Sequence, residues 1–438
     1  MEFNIKEALN KLNIKKLNPL QEESIKAYNE GNNIYLLSPT GSGKTLAFLL
    51  PLISKLRSGH EGIQALVLCP SRELALQIES VFKKLQTGFK VNCCYGGHSM
   101  KIEKNNLLHP PTLLIGTPGR IADHIRNERI SCSSIHSVVL DEFDKSLEFG
   151  FLKDMEYIIR EARYAQQKML ISATDIDELP EFISNVEFQK IDRISNHIQT
   201  KAEIKIVDPV GEEEKVDSLI RLLSNFSHEK NIVFFNHQDA VNRISSILKE
   251  QNVPHTVFHG GLKQEHRERE LIKLRNGSTN ILLATDLAAR GIDIPEIQHI
   301  IHYQIPHKED AFIHRNGRTA RMSAEGNVYI LKDLRQDLPD YVDSSYETIV
   351  APKQSQKFFK PKWITLYLDL GRKNKVSKMD IVGLFCKKGG LGKGDLGLIE
   401  VLDYSSYIAI NKHKHSLLTQ KIKNERIKNK KLKLSLSK

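Results

Sequence analysis

An apolar run, Ile34-Tyr35-Leu36-Leu37, leads into Ser38-Pro39-Thr40-Gly41-Ser42-Gly43-Lys44-Thr45, and a second apolar run, Leu46-Ala47-Phe48-Leu49-Leu50, follows. No other segment constrains the fold as tightly. A glycine-bearing loop between a strand pattern and a helix start turns its backbone N–H groups onto a phosphate chain, and the helix N-terminus adds positive potential. Lys44 is placed to reach the β- and γ-phosphates, and the Thr45 hydroxyl to ligate Mg²⁺. The spacing predicts a strand–loop–helix unit that takes a nucleoside triphosphate. Ser38 stands where the general pattern has glycine.

The surrounding sequence supplies a sheet for that loop. Continuous apolar runs at 64–69, 112–116, 137–140 and 168–171 alternate with amphipathic stretches. Such runs are strands buried on both faces, as in a parallel sheet with helices on each side. The pattern restarts at 231–235 and continues through 256–259, 280–284 and 299–303. We therefore expect two α/β domains, 1–200 and 205–342, with ligands beyond the carboxyl ends of the strands. A polar stretch with Pro352 and Pro361 reads as a linker over 343–361. Residues 362–438 form a third unit, in which Trp363 to Leu368 alternates like a half-buried strand. Ser377 and Asp380 open a helix as a capping box, and Gly389 is placed to end it. Strands at 398–402 and 406–410, a helix at 415–424 and the alternating 431–436 complete β-α-β-β-α-β, the order of a small ferredoxin-like α+β sandwich.

Charge is distributed unevenly. Residues 351–438 hold 21 Lys and Arg against 6 Asp and Glu, a net +15, whereas the first 350 residues hold 43 against 47, a net −4. A basic field confined to one domain contacts a polyanion. The five cysteines form no C-x-x-C pair, so neither a disulfide framework nor a zinc site is indicated. No apolar run approaches a membrane span, and Met1 to Lys6 lacks the apolar core of a signal peptide. The expectation is a cytoplasmic monomer with no membrane partner.

Two further clusters carry chemistry. Asp141-Glu142 follows the strand 137–140, where Asp141 can hold Mg²⁺ opposite Lys44 and Thr45 and Glu142 can activate the attacking water. Far downstream, His314-Arg315-Asn316-Gly317-Arg318-Thr319-Ala320-Arg321 spaces three arginines at i, i+3 and i+6. Arginine stabilises the charge that develops on a transferring phosphoryl group. If these arginines serve the phosphate loop of the first domain, hydrolysis requires the two domains to close.

Read together, these segments resemble the DEAD-box ATP-dependent RNA helicases of superfamily 2, over residues of about 10–340. Asn13 to Gln21 resembles the Q motif, which implies that Gln21 reads the adenine edge. Ser38 to Thr45 is similar to motif I and Asp141 to Asp144 to motif II. Ser172-Ala173-Thr174 is similar to motif III, which links hydrolysis to strand separation. The resemblance implies two RecA-like domains and the substrate ATP with Mg²⁺. Catalytic roles fall to Lys44, Glu142, Arg318 and Arg321, with Arg318 and Arg321 as arginine fingers. Nucleotide contacts fall to Gln21, Ser38, Pro39, Thr40, Gly41, Ser42, Gly43, Lys44, Thr45 and Asp293, the last on the ribose. Coupling falls to Asp144, Ser172, Thr174 and His314. RNA contacts are implied for Pro70, Arg72, Gly97, Thr117, Gly119 and Arg120 in the first domain. Gln264, Arg267, Thr285 and Arg315 carry them in the second.

Residues 362–438 resemble the RNA-binding domain of the DbpA subfamily, an RRM-like fold. The segments that carry this are Thr365 to Gly371, Met379 to Gly383, Gly394 to Ile399 and Tyr407 to Ile410. This resemblance implies a structured ribosomal RNA hairpin as target and a role in large-subunit assembly. Lys373, Lys375, Lys431 and Lys433 are phosphate-contact candidates. With the aliphatic residues of 363–368 inward, Trp363 and Tyr367 either stack on unpaired bases or pack against an adjoining helix.

Three departures from the family pattern stand out. Motif II reads D-E-F-D, so Phe143 is expected to crowd motif III and to threaten the coupling of hydrolysis to unwinding. Motif VI has Asn316 and Ala320 where the family has Ile and Gly, and Ile14 replaces an aromatic of the Q motif. Phe143 keeps open a rival reading, an ATP-gated RNA clamp or scaffold with little unwinding. A DNA helicase is a third, disfavoured by motif detail.

Overall fold

The computed structural model describes residues 4–39, 41–97, 99–194, 202–209, 214–289, 297–319, 326–333 and 337–437. It divides into two compact units, the first ending at Thr200 and the second holding the rest apart from a short stretch at 290–293.

The first unit is built on seven parallel strands: β1 Asn33–Leu37, β2 Ala65–Leu68, β3 Val91–Cys94, β4 Leu113–Gly116, β5 Ser137–Leu140, β6 Gln167–Ser172 and β7 Phe188–Asp192. Their order across the sheet is β3-β4-β2-β5-β6-β1-β7. Both faces are buried because the strands are apolar at successive positions. Ile34 and Leu36 enter the core on one side, and Tyr35 and Leu37 the core on the other. This sidedness is what period-two geometry dictates for a sheet covered by helices on each face.

The second unit repeats the plan with β8 Ala202–Asp208, β9 Asn231–Phe234, β10 Thr256–Phe258, β11 Ile281–Ala284, β12 His299–His302, β13 Gly326–Leu331 and β14 Glu347–Val350. The order is β10-β11-β9-β12-β13-β8-β14, again all parallel. Two expectations need correction here. The second domain starts before 205, since β8 begins at Ala202. The stretch 343–361 is not a free linker. Its residues 347–350 form the edge strand β14 against β8. Beyond it, Gln356 N–H donates to Ser224 Oγ at 2.9 Å and Phe359 N–H to Ser227 Oγ at 3.1 Å. The Phe359 ring lies 4.4 Å from that of His228.

The third domain has β15 Trp363–Leu368, β16 Leu396–Val401, β17 Ser406–Asn411, a two-stranded hairpin of β18 Arg426–Ile427 and β19 Lys430–Lys431, and β20 Leu434–Leu436. Its antiparallel sheet runs β16-β17-β15-β20, the ferredoxin-like order. The helix Lys378–Val382 opens on the Ser377 capping box and continues in a wider turn that stops at Gly389, whose N–H donates to Leu384 O. Ile364, Leu366 and Leu368 face the core, so Trp363, Thr365 and Tyr367 lie on the opposite face. Among the described residues no helix is long and apolar enough to cross a membrane.

Candidate nucleotide and RNA sites

The strand order sorts the predicted residues of the first unit into two neighbouring groups. β5, β6 and β1 are adjacent. They end in Asp141-Glu142, in Ser172 to Thr174 and in the Ser38 loop. β3, β4 and β2 are adjacent as well. They end in Gly97, in Thr117 to Arg120 and in Pro70 to Arg72. The two groups meet where Asp141 N–H donates to Leu68 O at 2.8 Å.

In the nucleotide group, Gly41 and Gly43 take left-handed φ of 84° and 88°, which side chains rarely adopt. Gly43 is also crowded, since a Cβ there would lie 2.6 Å from Gln21 Nε2. The helix Pro19–Asn29 braces the loop from behind. Asn18 Nδ2 donates to Ser42 O at 2.8 Å and Gln21 Nε2 to Gly43 O at 3.2 Å. Asn18 and Gln21 also form a reciprocal capping box. Gln21, expected at the adenine edge, is therefore held against the loop backbone. The bracing role of Asn18 went unassigned, although an Asn three residues before Gln and next to Pro19 is a helix-start signal. Lys44 Nζ donates to Ser38 O at 2.8 Å, and Ser38 N–H to Ser172 O at 3.1 Å.

Asp141 is buried, and its carboxyl is pushed up to about 7, first by burial and then by Glu142, with Lys44 opposing. A buried carboxylate, with Lys44 acting on it and Thr45 on the first turn of the helix Lys44–Ser54, suits a hard cation such as Mg²⁺. Glu142 sits at φ 46°, a strained turn between strand and helix, with its N–H donating to Asp141 Oδ1 at 2.9 Å. Asp144 Oδ2 accepts from Thr174 Oγ1 at 3.1 Å, and Ser172 Oγ donates to Thr174 O at 2.6 Å.

In the other group, the Arg72 guanidinium lies 4.4 Å above the Tyr95 ring and beside Gly97, whose φ is 79°. Arg120 Nε donates to Glu103 Oε2 at 2.6 Å, and His124 Nε2 shares that oxygen at 2.8 Å. Tyr95, Glu103 and His124, all buried, are the supports that residue spacing could not announce.

The second unit separates the arginines. Arg315 is fully buried and saturated by protein groups: Nε on Asp286 Oδ1 at 2.5 Å, NH1 on Gln304 O at 2.7 Å and NH2 on Asn236 Oδ1 at 2.8 Å. An RNA contact by Arg315 is thereby corrected; it is an internal strut. Arg318 follows the helix Glu309–Asn316, and His314 is buried within it. Thr285 follows β11, and Gln264 and Arg267 lie on the first turn of the helix Gln264–Arg275. Thr40, Asp293 and Arg321 lie outside the described residues.

The sequence matches the DEAD/DEAH box helicase family over residues 18–182, the helicase conserved C-terminal domain over 214–323 and the DbpA RNA binding domain over 365–436. The ATP-dependent RNA helicase DbpA of Bacillus subtilis is 30% identical over 95% of this chain and 94% of its own length. The chain belongs to the DEAD-box ATP-dependent RNA helicases, and within them to the DbpA type. The ATP-dependent RNA helicase DeaD of a Buchnera aphidicola strain is 35% identical over 75% of this chain, but the match spans only 55% of that protein. In fold, the chain is similar to Dbp5 of S. cerevisiae, solved with RNA and ADP BeF3, at a TM-score of 0.70, 24% identity, and coverage of 78% of this chain and 92% of that one.

Two DEAD-box departures find their place in the structure. Phe143 is fully buried in the core beneath β5 and meets Phe182 edge-on at 6.4 Å. The Asp144–Thr174 bond to motif III is present beside it. Asn316 Oδ1 accepts from buried His302 Nε2, 2.8 Å away, and so its amide has a specific partner. In the DbpA-type domain, Trp363 lies against Gly397 of β16 and Gly277 of the loop after the helix Gln264–Arg275. Lys373, Lys375, Lys431 and Lys433 are all exposed.

Proposed function

We propose that this DEAD-box protein couples ATP hydrolysis to local unwinding of RNA, on a structured ribosomal RNA captured by its basic third domain during large-subunit assembly. The Ser38–Thr45 loop binds the phosphates. Thr45 and Asp141 would hold Mg²⁺, which neutralises phosphate charge when bound. Glu142 takes the proton of the attacking water, and Arg318 stabilises the charge on the transferring phosphoryl group. The loops after β3, β4 and β2 hold one RNA strand by its backbone, which carries no sequence information. Recognition then falls to the third domain, where 18 basic residues accompany 6 acidic ones over 362–438.

One observation carries the unwinding reading: the hydroxyl of Thr174 bonds Asp144 at 3.1 Å while Phe143 is accommodated in the core. That bond supports a path from motif II to motif III despite the D-E-F-D sequence. Strand displacement of a short RNA duplex, with and without ATP, is the test. ATP-dependent displacement is expected; RNA binding without it would leave an ATP-gated clamp. Crosslinking and sequencing of the bound RNA should return large-subunit ribosomal RNA, and any other dominant RNA removes that part of the proposal.

A further inference from the structure

The helix Gln264–Arg275 has two working ends. Gln264 and Arg267, proposed RNA contacts, occupy its first turn. Its last turn and the loop after it meet the third domain. Arg275 NH1 donates to Glu400 Oε1 at 2.7 Å. The Ser278 and Thr365 hydroxyls are 2.7 Å apart, and Asn276 Nδ2 lies 3.5 Å from Thr365 Oγ1. Gly277, at φ 69°, lies against Trp363, and a Cβ there would sit 3.4 Å from the ring.

The contact is not confined to that end. Glu265, Glu268 and Arg269 act electrostatically on the Tyr407 hydroxyl, which burial pushes up to about 12. Tyr367, edge-on to Tyr407 at 5.5 Å, feels Glu265 as well. Thr365 is 4% exposed and Tyr407 is 6% exposed. The open face of the third-domain sheet is thus covered at Thr365 and Tyr407, on the side of this helix. The peptide that precedes the domain is itself fixed, through β14 and the Ser224 and Ser227 hydroxyls. Connection and docking face together leave the domain with one seat rather than a tether.

We propose that this seam is a spacing device, in which Arg275, Glu400 and Thr365 are positioning residues that set RNA held by the third domain at a fixed distance from Gln264 and Arg267. The helix that carries both ends is about 18 Å long, twelve residues at 1.5 Å each. This rests on the proposed capture of structured RNA by the third domain. Duplexes at one separation from the captured hairpin are then unwound best, because only they reach Gln264 and Arg267 without bending the seam.

The test uses the full chain on RNAs in which a large-subunit ribosomal hairpin is joined to a short duplex through single-stranded spacers of increasing length. The wild-type chain should show a displacement optimum at one spacer length. Arg275→Glu and Glu400→Arg should each keep hairpin affinity and ATP turnover on unstructured RNA, yet lose about tenfold in displacement rate at the optimum, as misplacement does. The double reversal should restore rate and optimum. A flat dependence on spacer length in wild type, an optimum unchanged in both single variants, or a double variant no better than the singles overturns the proposal. Unchanged hairpin affinity after removal of 362–438 would instead sink the capture reading on which it stands.

Discussion

Arg315 and Arg318 stand three residues apart, and both are buried. Arg315 is enclosed, with Asp286, Gln304 and Asn236 filling its donors. Removing one partner of a buried, hydrogen-bonded charge pair costs about 3–5 kcal/mol. Arg315→Ala should therefore lower the melting temperature of the second unit sharply. Arg318→Lys should leave the melting temperature near wild type and cut RNA-stimulated kcat by about 10³-fold, the low end for losing an arginine finger. The i, i+3, i+6 spacing grouped three arginines, but did not show that Arg315 would be taken up by an internal network. That depends on Asp286 and Asn236, 29 and 79 residues earlier in the chain. The Glu142 backbone, left-handed at φ 46°, holds the carboxylate at the end of β5. Glu142→Gln keeps that geometry and removes the base. ATP and RNA affinity should be retained and single-turnover hydrolysis should fall at least ~100-fold.

At the scale of elements, buried strands were legible because Val, Ile and Leu run continuously through them. β14 was not, because Glu347 and Thr348 are exposed on an edge and only pairing with β8 makes them a strand. The β12 strand illustrates a second limit. His302 is fully buried, and burial, reinforced by Arg315, pushes its imidazole down from 6.5 to about 3. The native state thus holds it neutral while the unfolded chain protonates it below 6.5. Stability is unaffected above that pH and is lost as pH falls toward 3, at up to about 1.4 kcal/mol per pH unit. Asn316→Ile, which restores the family residue, should strand the His302 ring nitrogen and cost about 1–3 kcal/mol. Replacing His302 by Phe in the same variant should recover most of that loss. Thermal melts of the two variants between pH 4 and 8 check both statements.

For the whole molecule, the composition step near residue 350 marked a third domain, whose first strand begins at Trp363, but not the attachment of the residues before it to the second sheet. Ala351 is buried and Phe358 packs on the core of the second sheet. A chain ending at residue 361 should keep the melting behaviour of both RecA-like units and bind RNA more weakly, with a shallower dependence of log K on log salt. A chain ending at residue 342 also loses β14 and should melt earlier. Equal salt slopes for the full chain and the 361 truncation would show that the basic domain does not carry the affinity. The order of motifs along the chain was legible. The sorting of their loops to two halves of one sheet was not, since it is set by strand order and no local pattern encodes it.

The brace behind the phosphate loop has a thermodynamic consequence. Asn18 and Gln21 already hold the Ser42 and Gly43 carbonyls through a capped helix. Fixing a residue's backbone costs about 1–2 kcal/mol of conformational entropy. For these residues that cost falls on folding and not on nucleotide association. Loosening the brace with Asn18→Ala would move the same cost onto the ligand. The nucleotide would then bind with a more unfavourable entropy, and its association would register, by calorimetry, as a small folding reaction.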